Sequence, residues 1–209
     1  MPSIRRLANS CLVVTDDSGA ALFDPGFFTF DSGEVDLESI GDIQRVLITH
    51  EHPDHVKPEF VRWVIDRGND VQVFANDAVA ALLASHDIEA STDGPAGVQF
   101  EDVLHERIPN GATPPNRSYT IEGLFTHPGD SYQSTGSAPV LALPLITPWG
   151  STTRSVEFAR SLGPRQVIPI HDFYLSPSGR TWVASMVGQV LGESDIEVVP
   201  LGWGDSYTV

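Results

Sequence analysis

One stretch of this sequence decides how the chain is understood: Leu47-Ile48-Thr49-His50-Glu51-His52-Pro53-Asp54-His55. A buried-type strand over residues 45–49 runs directly into a loop that holds three of the seven histidines of the chain. Because residues two apart in an extended segment point the same way, His50 and His52 can converge on one metal ion. Asp54 and His55 lie just beyond and can face a second metal. Imidazole and carboxylate ligands suit zinc, and also manganese or iron.

Short apolar strands alternate with helices on both sides of this loop, and they divide the chain into two β-rich halves. The pattern predicts strands at residues 10–15, 20–23, 45–49, 71–74, 98–105, 119–122, 123–125, 140–143, 166–170 and 196–200. It predicts helices at residues 58–65, 77–85, 151–161 and 178–191. A turn is expected at residues 114–116, where two prolines precede an asparagine.

This order of elements predicts an α/β fold, a four-layer αββα sandwich in one domain over residues 1–209. The alternative is a doubly wound sheet, which the N-terminal hairpin and the meander over residues 98–126 disfavour. Hydrophobic residues at 41% and charged residues at 19% exclude a disordered chain.

The chain is strongly acidic, with 12 Lys+Arg against 28 Asp+Glu and a formal net charge of −16. Such a surface repels phosphate backbones, so nucleic acid and anionic membranes are not expected as partners. The expected partner is a small-molecule substrate. The single cysteine, Cys11, excludes an intramolecular disulfide and reads as a small core residue within a strand. No apolar run is long enough to span a membrane, and polar residues interrupt any N-terminal signal core, which predicts a cytoplasmic protein.

The histidine loop carries a family resemblance. His50-x-His52-x-Asp54-His55 resembles the signature of the metallo-β-lactamase-fold metal-dependent hydrolases, whose fold is the αββα sandwich. Three further segments are similar to elements of that superfamily: Phe23-Asp24-Pro25-Gly26, His127-Pro128-Gly129-Asp130-Ser131 and Ile168-Pro169-Ile170-His171-Asp172. Within the superfamily, the chain most resembles the branch of ascorbate-6-phosphate lactonase-like bacterial proteins, which segments such as Pro148-Trp149 also suggest.

The resemblance implies a dinuclear site with two divalent metal ions, zinc or alternatively manganese. The first metal would be held by His50, His52 and a third histidine. His105, at a strand end, is our choice for that third ligand, and His127 is the competitor. The second metal would be held by Asp54, His55 and His171, with Asp130 bridging the two.

The same resemblance implies a hydrolase in which a metal-bound hydroxide attacks a small ester, lactone or phosphoester, with Asp54 and Asp130 central to catalysis. Asp24 would orient the loop, since a carboxylate that accepts a hydrogen bond from a metal-binding histidine sets the orientation of the imidazole. The alternative is that Asp24 is a turn residue at the end of a strand. His127 would support the site or face the substrate. Tyr132 and Tyr174 would donate hydrogen bonds to an oxyanion or, alternatively, are ordinary half-buried tyrosines.

Two departures from the family pattern motivate a second hypothesis. Many relatives of this branch carry Gly-His-Ser/Ala-Cys near the N-terminus, where this chain has Ala8-Asn9-Ser10-Cys11. The glycine that often follows the loop is also absent. The alternative is therefore a non-catalytic or metal-binding-only member of the fold that acts as a ligand-binding protein. The oligomeric state is left open.

Overall fold

The structure, a computed structural model, describes all 209 residues and divides the chain into two units. The first unit comprises residues 1–96 together with 202–209, and the second comprises residues 97–201. That the whole chain acts as one domain remains a prediction.

The first unit is built on a six-stranded mixed sheet of order β12-β1-β2-β3-β4-β5. Its strands are β1 (Ser3–Arg6), β2 (Leu12–Asp16), β3 (Gly19–Phe23), β4 (Arg45–Ile48), β5 (Gln72–Ala75) and β12 (Ser206–Thr208). The strands β3, β4 and β5 run parallel, and the remaining pairs are antiparallel. The helices of this unit are α1 (Phe27–Phe30), α2 (Pro58–Arg67) and α3 (Asp77–Ala84), with a 3-10 turn at Leu37–Ser39.

Local chemistry explains these elements. All four residues of β4 are buried, as expected of a central parallel strand. Pro58 opens α2 at a position where its missing N–H costs nothing, and the Asn76 side chain caps α3 by accepting from the Val79 N–H at 3.0 Å. Cys11 is buried in the apolar cluster of this unit, and burial raises the pKa of its thiol.

The second unit is built on a six-stranded mixed sheet of order β11-β10-β9-β8-β7-β6. Its strands are β6 (Val98–Leu104), β7 (Pro115–Ile121), β8 (Phe125–His127), β9 (Val140–Pro144), β10 (Gln166–Ile170) and β11 (Glu197–Val198), and its helices are α4 (Thr152–Leu162) and α5 (Pro177–Gly192). Every residue of β9 is buried, and this strand packs in a separate apolar cluster with both helices. Ser151 caps α4, and Gly163 ends it in a left-handed conformation.

Several details differ from the predictions. The turn expected at residues 114–116 is wrong: β7 begins at Pro115, because the first residue of a strand tolerates a missing N–H. The strand expected at residues 123–125 begins only at Phe125, since Gly123 lies in the preceding turn with φ of +70°. Cys11 precedes β2 instead of lying within it. The elements β1, α1 and β12 were not predicted.

None of the helices combines the length and the apolar character that crossing a membrane requires.

Candidate metal centre

The predicted site residues of the first unit follow parallel strands. Asp24 comes directly after β3, the histidine loop follows β4, and Asn76 follows β5. Because the carboxyl ends of parallel strands meet at one edge of a sheet, these residues lie together. Functional residues commonly occupy loops at such an edge.

Asp24 is the centre of this group. It is fully buried. One of its carboxylate oxygens accepts from the backbone N–H of Thr49 at 2.8 Å. The other accepts from the Thr49 hydroxyl at 2.8 Å and from Nδ1 of His55 at 2.6 Å. The predicted orienting role of Asp24 is therefore compatible with its contacts, which reach the loop at two residues.

These contacts determine which ring nitrogen of His50 and of His55 carries the proton. Because the Thr49 hydroxyl donates to Asp24, its oxygen is free to accept from Nδ1 of His50, 3.0 Å away. In neutral His50 the lone pair then lies on Nε2, which is 3.1 Å from Nδ1 of His52. In His55, Nδ1 donates to Asp24, and Nε2 lies 3.6 Å from a carboxylate oxygen of Asp54. In the neutral form of both imidazoles, Nε2 is therefore the nitrogen without the proton, as a metal ligand requires.

Asn9 also contacts a predicted ligand. It is fully buried with φ of +56°, and its side-chain N–H donates to Asp54 Oδ2 at 3.3 Å. Asn9 therefore contributes one hydrogen bond to a carboxylate that is among the predicted ligands.

Four strands of the second unit also end at a common edge. The pairings make β6, β8, β9 and β10 run in one direction. His105 follows β6, His127 ends β8 with Asp130 three residues later, and His171 follows β10. The sheet therefore brings together the predicted ligands of this unit.

Asp130 is buried, and its backbone N–H donates to the side chain of Asn116 at 3.0 Å. Its Oδ2 lies 3.2 Å from Nε2 of His105, and its Oδ1 lies 2.9 Å from Nε2 of His171. Trp149 donates its indole N–H to Oδ2 at 2.8 Å. The carboxylate thus has contacts on both oxygens.

The two candidates for the third ligand of the first metal have opposite proton arrangements. Nδ1 of His105 lies 2.5 Å from the backbone carbonyl of Glu106. Since a carbonyl only accepts, Nδ1 carries the proton and Nε2 keeps a lone pair directed at Asp130. In His127, Nδ1 accepts from the Gly129 N–H at 3.1 Å, so the neutral ring carries its proton on Nε2. These contacts give His105 the arrangement of a ligand and His127 that of a hydrogen-bond donor.

The two predicted tyrosines differ in their surroundings. The hydroxyl of Tyr132 lies 2.9 Å from that of Ser155, and burial raises the pKa of the phenol, so it stays protonated. Tyr174 is 64% exposed, with its ring beside Phe173. The oxyanion role of either residue stays a prediction.

Backbone strain accompanies these residues. Six residues other than glycine have positive φ, and three of them are Asn9, Asp24 and His171. A left-handed conformation outside glycine costs about 1–3 kcal/mol and tends to occur at functional sites. Two of these strained residues, Asp24 and His171, come directly after a strand.

Sequence reasoning gave no role to Thr49 or Trp149. Thr49 is only the last residue of a predicted strand. Its position before His50 is nevertheless a usable signal, because a hydroxyl there can reach both a carboxylate and an imidazole. Trp149 contributed only to the family resemblance. Its contact with Asp130 spans 19 residues of chain, which no local pattern predicts.

Comparison with known proteins supports the resemblance that the histidine loop indicates. The metallo-β-lactamase superfamily model matches residues 4–57, which end two residues after the loop histidines. A curated relative, Protein Rv0786c of Mycobacterium tuberculosis, is 28% identical over 192 residues and covers 85% of this chain and 87% of its own. Its name assigns no activity.

Two solved structures share the fold along nearly the whole chain. One, named as a metal-dependent hydrolase, comes from Parabacteroides distasonis. It has a TM-score of 0.73 at 20% identity and covers 95% of this chain and 92% of its own. The metallo-β-lactamase fold protein YhfI of Bacillus subtilis has a TM-score of 0.69 at 14% identity, with 99% of each chain covered.

These likenesses confirm the predicted fold class, and the lactonase-like branch stays a prediction. The chain therefore has the metallo-β-lactamase fold and resembles that superfamily in the sequence of its first strands and histidine loop.

Proposed function

We propose that this protein is a metal-dependent hydrolase of a small ester, lactone or phosphoester. One observation carries the proposal. In both units, histidines have Nδ1 engaged by a protein acceptor and Nε2 directed at another ligand-type atom, as in His55 with Asp54 and in His105 with Asp130. Metal-binding histidines are held in this way, because an acceptor on the far nitrogen fixes ring orientation and tautomer.

The separations fit a shared cation. Ligands bound tetrahedrally at 2.0–2.2 Å lie about 3.3–3.6 Å from one another. The corresponding atoms are 3.1 Å apart in His50 and His52, 3.2 Å in His105 and Asp130, and 3.6 Å in His55 and Asp54. Without a cation, His50 and His52 can share an ordinary hydrogen bond if Nδ1 of His52 carries its proton. In the other two pairs the lone pair of the imidazole Nε2 would face a carboxylate oxygen and repel it unless an extra proton lay between them. Metal analysis separates these two explanations.

We assign the ligands as the family resemblance implies. His50, His52 and His105 would hold one divalent metal, Asp54, His55 and His171 the other, and Asp130 both. Imidazole and carboxylate groups of this kind, buried except for the half-buried His52 and Asp54, suit zinc, with manganese as the alternative.

When bound, such metals supply Lewis acidity and an activated water at neutral pH. The chain's own residues do the rest. Asp24 and Thr49 hold the imidazoles of His50 and His55 in the ligand tautomer, and Asn9 holds Asp54. His127, whose Nδ1 accepts from the Gly129 N–H, would support the site or face the substrate. The net charge of −16 disfavours large polyanionic substrates and nucleic acid.

The first experiment is elemental analysis of untagged protein purified without added metal, followed by a hydrolysis screen with aryl esters, lactones and phosphodiesters. We expect about two zinc or manganese ions per chain, as in dinuclear hydrolases, and turnover of at least one substrate class. The variant His52→Ala should lose metal and turnover. His86→Ala is the matched control, because His86 is an exposed histidine of the same unit beyond α3.

Three outcomes decide the proposal. Metal-dependent turnover that disappears in His52→Ala and persists in His86→Ala supports it. Stoichiometric metal without turnover across the screen supports the ligand-binding alternative, which the replacement of a histidine by Asn9 favours. Turnover that is unchanged in His52→Ala contradicts the metal mechanism.

A further inference from the structure

Trp149 touches three predicted metal ligands of the second unit. It lies in the connection between β9 and α4. Its indole N–H donates to Asp130 Oδ2 at 2.8 Å. Its ring meets the rings of His105 and His171 edge-on, with centroids 5.3 and 5.9 Å away.

The connection holds this side chain in place. The Thr152 hydroxyl, at the start of α4, donates to the carbonyl of Leu145 at 3.2 Å. Gly150 approaches Tyr132 so closely that a Cβ on it would lie 2.6 Å from the phenol oxygen. The ring of Tyr132 also packs beside that of Trp149, with centroids 5.3 Å apart. The backbone on either side of Trp149 is therefore anchored, and the ring of Tyr132 limits the positions of the indole.

An indole N–H is suited to holding a metal-binding carboxylate. It is a donor only and carries no charge, so it cannot compete for the cation. A carboxylate offers about four lone-pair directions, so a hydrogen bond from an indole uses one of them and is compatible with metal ligation. By occupying one direction on Oδ2, Trp149 restricts the rotation of Asp130 about its side-chain bonds.

We propose that Trp149 is a positioning residue that holds Asp130 in the orientation required for metal binding. This inference rests on the proposed metal function. It predicts that the hydrogen bond, and not merely the bulk of the ring, determines how tightly the metal is held.

The test compares two substitutions. Trp149→Phe keeps a ring and removes the donor. Trp149→Gln removes the ring and keeps a donor, because its amide nitrogen is three bonds from Cβ, as is the indole nitrogen. Zinc affinity is measured by competition with a chromophoric chelator. We expect Trp149→Phe to weaken zinc binding by about 10–100-fold, the usual effect of removing a residue that hydrogen-bonds to a metal ligand. Trp149→Gln should recover most of that loss.

Trp182→Phe is the matched control, because Trp182 lies on α5 and is 67% exposed, and its zinc affinity should be unchanged. Circular dichroism checks that each variant is folded, and Trp149→Met replaces the Phe variant should that one not fold. A donor-less variant that binds zinc as tightly as the wild type overturns the inference, as does a Gln variant no better than Phe. A wild type that binds no metal at all instead defeats the proposed function, so the two failures are distinguishable.

Discussion

At the scale of single residues, one buried carboxylate controls the histidine loop. Asp24 contacts His55 directly and reaches His50 through the hydroxyl of Thr49. The hydroxyl can serve both neighbours only because it donates to the carboxylate and accepts from the imidazole. A residue without a hydroxyl at position 49 would leave Nδ1 of His50 without its acceptor.

We therefore predict that Thr49→Val, which keeps the shape and removes the hydroxyl, weakens zinc binding by about 10–100-fold. It should also lower the free energy of unfolding of the metal-free protein by about 1–3 kcal/mol, since buried polar groups lose a partner. Thr49→Ser keeps the hydroxyl and should remain near wild type in both respects. Chelator competition and urea unfolding measure the two effects. Equal zinc affinity in the Val variant and the wild type would contradict this role of the Thr49 hydroxyl.

At the scale of secondary-structure elements, the turn after β3 packs tightly against the histidine loop. An ideal Cβ on Gly26 would lie 1.9 Å from the backbone carbonyl oxygen of Asp54. The backbone N–H of Phe27 also donates to the carbonyl of Pro53 at 3.0 Å, and that of Lys57 donates to the carbonyl of Pro25 at 2.9 Å. The start of α1 and the loop after β4 are thus in direct backbone contact.

This contact predicts that Gly26→Ala lowers the free energy of unfolding by about 1–3 kcal/mol, the usual cost of overpacking, and displaces the loop. Gly192→Ala is a suitable control, because a Cβ at that helical position meets no atom within 4 Å and alanine favours helix. Urea midpoints measure both changes. If Gly26→Ala unfolds at the wild-type midpoint, the close approach is wrong.

The same elements show what sequence alone can predict. The strands β4 and β10 were placed within one residue, because continuous β-branched and aliphatic runs mark buried strands. By contrast, β12 is a short, polar edge strand that exists only because it pairs with β1, so no local pattern predicts it. The candidate ligands were named from the loop motif and the family resemblance. The Asp24–Thr49 and Trp149–Asp130 contacts depend on strand order, which propensities do not contain.

At the scale of the whole molecule, each unit has an apolar cluster of its own. The first includes side chains such as Leu22, Val46 and Phe60, and the second includes Leu141, Phe158 and Val187. Because burial of apolar surface supplies most of the stability of a folded chain, we expect each unit to fold without a metal ion.

Chelation should accordingly leave a folded protein. We expect the far-ultraviolet circular dichroism to be unchanged after dialysis against a strong chelator, while the melting temperature falls through loss of linked binding. Metal at 100 times its dissociation constant contributes about 2.7 kcal/mol of stability. Re-addition of zinc should restore the melting temperature. Unfolding at room temperature on chelation would instead indicate a structural metal.

The discontinuity of the first unit has a consequence for protein synthesis. Residues 97–201 are inserted between β5 and β12, so a nascent chain must pass through the entire second unit before β12 is made. Until then β1 has no partner on its outer side, and an unpaired strand edge is a site at which chains associate wrongly. Although N-terminal segments generally fold first on the ribosome, the first sheet here is completed last.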